Sequence, residues 1–540
     1  MKLSPFIAFW ISASLLSHFS VCNAQTAVTA DARLSARRIV NAEEQLEALE
    51  FILNKTLASA FETYGVSSLD DRAPVMEMRN SLSTNSTHYD FQFRLNRMLN
   101  ELFHDAHTRV EVESNLDKYR SIDMCLTWVA SGELGEESWD LISSCDTDYS
   151  QRGDYIVSVG GVTPEALFEM LRRTIPHEND YFLASLEEAW LVREDFLSYF
   201  GMLDNQGNVA VVIERDGAVL EAVYVPLLET TSNADDENTP FVSYEILNHS
   251  STAVFKLDDC IFNGTFMAVM TEFWSSVLSN PNIDNVVVDL RANRGGDFSV
   301  APVFLSFISK DSYELFDISQ RISDDFCLQT PMLCDPETLT ALTSLGANVT
   351  DEYMTIPSSV MSAFFAPLIP QSEVTFGGQF SVLTSGTTFS SAHLFAGVVQ
   401  QNSLGTLVGT PTGNTPSFWG NLISFPVPHT DLTFHLATSQ TEGNSIFPDV
   451  LIPTTREDIL ADKDPQLDFI ASRNSSGSNT PLSAAMIPGD DGIADDDDES
   501  PPETIAPTSS TLDDSHSSAV DRGFGRLVIF ILMFGVVLVL

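Results

Sequence analysis

The sequence predicts an α/β protein that is built from several folded units. Its 540 residues exceed what one hydrophobic core usually serves. From Ser251 onward, short apolar segments typical of buried strands alternate with longer segments of helical periodicity. Two helical segments and a smaller region of mixed strands and helices precede them. We therefore expect three units, which cover residues 25–115, 116–230 and 240–472.

The first unit, residues 25–115, is predicted to be helical. Apolar residues recur at helical spacing within residues 34–63, and the same spacing returns from Phe91 to Phe103. The unit ends at the histidine-containing segment His104–Thr108. The alternating residues Arg109–Glu113 then predict a strand.

The second unit, residues 116–230, is predicted to be a small α/β domain. Asp154–Pro164 has the pattern of a strand, a glycine turn and a helix start that Thr163 caps. Asn208–Gly217 predicts a strand that enters a hairpin. The polar residues Thr230–Thr239 predict a linker to the third unit.

The charge balance excludes one class of partner. The chain has 75 acidic and 27 basic residues, which gives a net charge of -48. Nucleic-acid binding needs clustered lysine and arginine, so we expect no nucleic-acid partner.

Both ends of the chain resemble targeting signals. Residues 1–24 have a lysine, an apolar segment and a small residue at the cleavage position, as in a secretory signal peptide. Residues 473–518, rich in Ser, Pro and Asp, predict a disordered acidic stalk. Residues 519–540 have small residues, a spacer and a short apolar tail, as in a glycosylphosphatidylinositol (GPI) anchor signal. We therefore expect the protein to be anchored at the outer face of the plasma membrane or in the cell wall. The alternatives are a short tail anchor and simple secretion.

Glycosylation sequons and cysteines fit the secretory route. The predicted glycosylation sites are Asn54, Asn85, Asn248, Asn263, Asn348 and Asn474. Five cysteines remain after cleavage, which suits two disulfides and one free thiol in an oxidising compartment. The local pairings are Cys125 with Cys145 and Cys327 with Cys334. The cysteine spacings suit no zinc site, so no metal is expected.

Two segments indicate the chemistry. Asn285–Gly296 predicts a buried strand that ends in a glycine pair. Val382–Gly397 predicts a second buried strand that delivers a serine to the start of a helix. Backbone N–H groups beside such a serine can hold an oxyanion while the serine attacks a carbonyl carbon. The pattern therefore indicates a serine peptidase.

Four segments resemble those of the C-terminal processing (tail-specific) serine peptidases, in the branch that includes the chlamydial protease-like activity factor. They are Val287–Gly296, Val382–Gly397, Gly405–Gly413 and Phe447–Val450, and the resemblance extends over roughly Phe91–Phe469. It implies a crotonase-like catalytic domain with ββα layers and a PDZ-like domain at 116–230. It also implies hydrolysis of protein or peptide substrates without a cofactor. A homodimer is a further candidate assembly.

The resemblance assigns the nucleophile and its base. Ser390 lies three residues before His393 and matches the family serine, with Ser391 as the alternative. Many family members use a lysine about twenty-five residues later, but no Lys or Arg lies between residues 321 and 456. The histidine-using branch instead implies His107 as the base. His104 and His393 remain competitors.

The remaining site residues follow from the same resemblance. Glu442, six residues before Pro448, is expected to orient the base. The oxyanion hole is expected from the N–H of Ser391 and that of Gly295 or Gly296.

One rival hypothesis is a catalytically inactive relative that binds peptides or mediates adhesion at the cell surface. Another is a hydratase or thioesterase on a crotonase-like core. The absence of a basic cluster for a coenzyme A phosphate argues against the latter.

Overall fold

The computed structural model describes residues 39–475, apart from 64–65, 83–85, 113–119, 132–137, 230–239, 248–250, 312, 371–373 and 444–446. The predicted signal peptide, the predicted anchor signal and residues 476–518 of the predicted stalk lie outside the described residues. Asn85 and Asn248 also lie outside them, whereas Asn54, Asn263 and Asn348 are exposed. Within the described residues, we find no helix that is both long and apolar enough to cross a membrane.

Three helices and a short antiparallel strand pair begin the described chain. These elements are β1 (Ile39–Val40), α1 (Ala42–Ser59), α2 (Ala73–Asn80), β2 (Ser86–Thr87) and α3 (His88–Phe103). Asn41 and Thr87 start α1 and α3 with capping boxes, because their side chains accept from backbone N–H groups three residues on. The apolar stripe that the sequence shows on each helix is buried in the main core.

The next strand joins this helical unit to the third unit. β3 (Arg109–Val112) pairs antiparallel with β20 (Leu432–Glu442), with Val110 opposite Phe434. The loop of residues 104–108 is therefore held at the edge of the third unit. β3 is thus the last strand of the predicted first unit, yet it belongs to a sheet of the third unit.

The second unit has a sheet and a core of its own. Its strands are β4 (Arg120–Ile122), β5 (Leu126–Ser131), β6 (Ser138–Ser143), β7 (Tyr155–Val159), β8 (Asn208–Arg215), β9 (Ala218–Val219) and β10 (Val223–Glu229). The helices are α4 (Pro164–Thr174), α5 (Asp180–Trp190) and α6 (Glu194–Tyr199). All described strand pairs in this sheet are antiparallel, in the order β4-β10-β8-β7-β6-β5 with β9 beside β8. A disulfide joins Cys125 to Cys145. The likeness of this unit to a PDZ domain stays a prediction.

The third unit contains a mainly parallel sheet. Its strands, in spatial order, are β11 (Val242–Ile246), β12 (Thr252–Leu257), β13 (Asn285–Asp289), β17 (Gln379–Thr384), β18 (Thr406–Gly409) and β21 (Val450–Leu451). The pairs are parallel from β12 onward. Every residue of β13 is buried, which explains the run of three valines, Val286–Val288, at its centre. The connecting helices are α7 (Gly264–Ser279), α8 (Val300–Leu305) and α12 (Ser391–Gln401).

A second sheet packs into the same core. It consists of β14 (Asp317–Arg321), β15 (Asn348–Val349), β16 (Tyr353–Ile356), β19 (Phe418–Pro426) and β20, with β3 at β20. The other helices are α9 (Asp324–Gln329), α10 (Pro336–Leu345), α11 (Ser358–Phe365), α13 (Arg456–Ala461) and α14 (Pro465–Ser475). A disulfide joins Cys327 to Cys334, and Cys260 is a free, buried thiol. The predicted α/β class is confirmed.

Candidate active site

Ser390 lies in a tight turn between β17 and α12. Its φ of 54° and ψ of -123° are rare for a residue other than glycine. The turn is attached to the end of β13, because the Thr388 hydroxyl donates to the Leu290 carbonyl at 2.9 Å and the Phe389 N–H donates to the Asn293 carbonyl at 3.0 Å. Such a strained backbone persists only when its surroundings fix it. The turn therefore presents this serine in one orientation.

Gly295 packs directly against the serine. A Cβ atom at this position would lie 2.6 Å from the Ser390 Cβ, and its φ is +104°. Any side chain at residue 295 would thus displace the serine. Gly295 thus brings the two tight turns into contact.

The described hydrogen bonds show which of the candidate oxyanion donors are already engaged. The Gly295 N–H already donates to Asn293 Oδ1 at 2.8 Å, so this candidate from the sequence is occupied. The N–H groups of Gly296 and Ser391 have no acceptor among the described residues. The Ser391 hydroxyl donates to the Gly296 carbonyl at 2.6 Å and fixes the two donors relative to each other. Because that hydroxyl is engaged, Ser391 is the weaker candidate for the nucleophile.

His107 lies in the loop between α3 and β3, and its side chain is 4% exposed. The Asp105 carboxylate shapes this loop, because it accepts from the N–H groups of His107 at 2.8 Å and Thr108 at 2.9 Å. The imidazole stacks on Phe389 with ring centroids 4.5 Å apart, and Phe389 stacks in turn on Phe182 at 4.3 Å. The structure therefore brings His107 against the residue that precedes Ser390.

Two carboxylates face the same ring nitrogen. His107 Nδ1 lies 3.5 Å from Asp105 Oδ1 and 3.6 Å from Glu178 Oε1. Neither ring nitrogen has a hydrogen-bond partner among the described residues. Burial lowers the pKa of His107, but the two acidic neighbours outweigh it and the net shift is upward.

Glu178 was not anticipated from the sequence. It lies just before α5 in the second unit, where Asn414 Nδ2 and the Thr415 N–H each donate to its carboxylate at 2.9 Å. Asn414 also accepts the Ser390 N–H at 2.5 Å, and so connects this acid to the serine. Burial raises the pKa of Glu178. Thr415 occupies the position at which the family resemblance would place a lysine base.

A second acid, Glu62, lies near this cluster and was also missed. Burial, reinforced by the charges of Asp105 and Glu178, raises its pKa to about 8. Glu62 and Glu178 come from two different units and from outside the four resembling segments. No local sequence pattern distinguishes them from other acidic residues.

The structure does not bring Glu442 to the base. Glu442 ends β20 and is exposed, whereas the preceding Thr441 is buried. Successive side chains of a strand point to opposite faces, so Glu442 points away from the core. No hydrogen bond or ion pair joins it to His107 within the described part of the chain. The expected orienting role of Glu442 therefore lacks the contact that it needs.

The two competing histidines lie in environments different from that of His107. His393 is buried and its Nδ1 lies 2.8 Å from Thr412 Oγ1. Burial and the nearby His107 lower the pKa of His393 to about 3. His104 is exposed and ends α3 in a left-handed conformation.

These parts define a class of protein. A serine in a strained turn, an imidazole beside carboxylates and two unengaged N–H donors are the components of a serine hydrolase site. Residues 261–440 match the model of peptidase family S41. This part of the chain is an S41 serine peptidase domain, and it contains Ser390, Gly295 and Gly296.

Solved structures support the same fold. Mature CPAF complexed with lactacystin is 15% identical, with a TM-score of 0.52, and the match covers 81% of this chain and 98% of that chain. A CPAF mutant is also 15% identical, with a TM-score of 0.55, over 82% of this chain and 99% of that chain. At this identity the likeness concerns the fold alone. No curated protein matches this chain in sequence.

Proposed function

We propose that this protein is a serine endopeptidase in which Ser390 is the nucleophile, His107 the base and Glu178 the acid that orients the base. The observation that carries the proposal is the position of the His107 imidazole. Its Nδ1 atom faces two buried carboxylates, and its ring stacks on Phe389, the residue next to Ser390. Catalytic hydrogen bonds are often long without substrate and tighten in the complex.

The proposed reaction proceeds through an acyl-enzyme. His107 Nε2 takes the proton of the Ser390 hydroxyl as Oγ attacks the carbonyl carbon of the peptide bond. The N–H groups of Gly296 and Ser391 stabilise the oxyanion. His107 then protonates the leaving amine, and a water molecule hydrolyses the ester by the same proton route.

Glu178 suits the orienting role better than Asp105 does. The hydrogen bonds of Asp105 come from the loop that carries His107 itself, whereas those of Glu178 come from Asn414 and Thr415 on the nucleophile side of the site. Glu178 Oε1 faces Nδ1, and Asn414 fixes its position. We therefore assign Asp105 to positioning the loop and Glu178 to accepting the Nδ1 proton.

A covalent probe tests the proposal. The full-length protein is treated with a serine-directed fluorophosphonate, and the labelled peptide is mapped by mass spectrometry. Labelling is expected at Ser390, should be lost in Ser390→Ala and His107→Ala, and should persist in Ser391→Ala. Persistent labelling in His107→Ala would show that another residue acts as the base. Full peptide cleavage by Ser390→Ala would refute the assignment.

The second candidate function is a peptide-binding module without activity. A cavity of about 480 Å³ between the second unit and the third favours it, and its lining includes Trp128, Trp139 and Tyr181. Aromatic side chains of this kind bind peptide side chains well. Peptide binding by a well-folded protein whose Ser390 never reacts with the probe would favour this alternative.

We also propose that the protein acts at the cell surface, on the basis of the terminal segments. Residues 1–24 resemble a secretory signal peptide, and residues 519–540 resemble a GPI anchor signal. Phosphatidylinositol-specific phospholipase C should then release the protein from intact cells. Release that requires detergent instead would contradict a lipid anchor.

A further inference from the structure

Three side chains of the candidate site have the spacing of metal ligands. Asp105 Oδ1, His107 Nδ1 and Glu178 Oε1 all lie within 4.8 Å of one another. The nitrogen is 3.5 Å from one oxygen and 3.6 Å from the other. These separations exceed the about 2.7–3.2 Å of a hydrogen bond that has tightened around a substrate, and so leave room for an ion in the resting site. Two ligands about 2.0–2.1 Å from a tetrahedral ion are instead about 3.3–3.4 Å apart.

The unpartnered imidazole is a second, independent observation. The His107 side chain is 4% exposed, and Nδ1 makes no hydrogen bond within the described residues. A buried polar atom without a partner is unfavourable, and such atoms are normally paired with protein, water or an ion. This nitrogen points at two carboxylates, which is the environment that a cation would occupy.

The surrounding residues already hold the two carboxylates in place. Backbone N–H groups of His107 and Thr108 bind Asp105, whereas Asn414 and Thr415 bind Glu178. Outer hydrogen bonds of this kind orient ligands and strengthen metal binding.

We propose that Asp105, His107 and Glu178 bind a zinc ion reversibly and that this ion switches the peptidase off. The regulatory part of this inference rests on the proposed function. One imidazole nitrogen and two carboxylate oxygens, with a fourth position left for water, form a zinc site. Magnesium and calcium prefer more oxygen ligands and bind imidazole poorly.

Inhibition follows from the chemistry of the imidazole ring. Zinc binds the lone pair of Nδ1, so the remaining ring proton must reside on Nε2. Nε2 then has no lone pair to accept the proton of the Ser390 hydroxyl. An imidazolium that binds zinc first releases one proton to solvent. Zinc therefore disables the base without blocking the serine itself.

Direct binding tests the site separately from the activity. Full-length Ser390→Ala protein, freed of metal with a chelator, is titrated with zinc chloride in a calorimeter. We expect one site that requires His107. Adding His107→Gln should weaken binding by at least about 10–100-fold, the range seen even for outer-shell changes. Adding His104→Asn, which removes a nearby exposed histidine, should leave binding unchanged. Binding that survives His107→Gln would overturn the site.

A second measurement leaves all three ligands intact, and so does not depend on the folding of a ligand variant. Cobalt(II) added to metal-free Ser390→Ala protein should give the intense visible spectrum of a four-coordinate ion, and zinc should abolish it. A weak octahedral spectrum, or one that zinc does not displace, would also overturn the site.

The effect on activity is measured on the wild-type chain. Zinc should slow fluorophosphonate labelling of Ser390, and a chelator should restore the rate. Unchanged labelling with zinc bound would overturn the regulatory proposal. If the metal-free protein never labels but zinc still binds through His107, the peptidase proposal fails and the metal site stands.

Discussion

At the scale of single residues, the main difference between sequence and structure is which carboxylate lies beside His107, the proposed base. Glu178 faces the imidazole, whereas Glu442 is exposed on the opposite face of its strand. We expect Glu178→Gln to lower kcat/KM by about 10²–10⁴, because neutralising the orienting acid of a triad disturbs the tautomer of the base. Glu442→Gln is the matched control and should stay close to wild type. The reverse result would restore the role that the sequence predicted for Glu442. Peptide cleavage in the presence of a chelator measures both variants.

A residue that takes no part in the proposed chemistry, Glu62, should make stability depend on pH. The unfolded chain releases this proton near pH 4.5, whereas the folded protein keeps it until about pH 8. The folded state binds more protons across that window, so its stability should fall as the pH rises from 5 to 8. Glu62→Gln should reduce this decline in the melting temperature of the metal-free protein. Glu77→Gln, whose side chain is 61% exposed, is the control. If the melting temperature declined equally with pH in both variants, Glu62 would be excluded as the source of the pH dependence.

At the scale of elements, the active site depends on contact between two turns. The turn after β13 ends in Gly295, and the turn after β17 ends in Ser390. We expect Gly295→Ala to abolish probe labelling, since its Cβ would collide with the Ser390 Cβ at 2.6 Å. Gly217→Ala is the control, because it introduces similar strain at a positive φ but no atom lies within 4 Å of its Cβ. Full labelling of Gly295→Ala would show that these turns need not touch.

Which elements could be predicted depends on whether their signal is local. The buried run in β13, the helical stripes of α1 and α3, and the serine before α12 all follow from periodicity or a short motif. Glu178 comes from a different unit, and only tertiary packing brings it to His107. Glu442 makes no described contact with His107, because the end of β20 places its side chain on the outer face, which motif spacing cannot reveal.

At the scale of the whole molecule, the second unit contributes residues to the candidate active site. The chain at the start of α5 packs on the nucleophile turn, where a Cβ on Gly386 would lie 2.0 Å from the Tyr181 carbonyl oxygen. The same segment supplies Glu178 to the base and Phe182 to the aromatic stack. In the proposed mechanism, movement of this unit would therefore change the position of the acid beside the base.

The contact at Gly386 allows a test of this coupling between units. Gly386→Ala should push the start of α5 away and withdraw Glu178 from His107, so kcat should fall while the melting temperature changes less. Gly377→Ala, where no atom lies within 4 Å of the new Cβ, is the control. If kcat falls because Glu178 is withdrawn, then adding Gly386→Ala to Glu178→Gln should lower kcat little further. Changes that remove the same interaction are not additive. Fully additive losses would mean that the contact between the units acts on Ser390 by a route that does not involve Glu178.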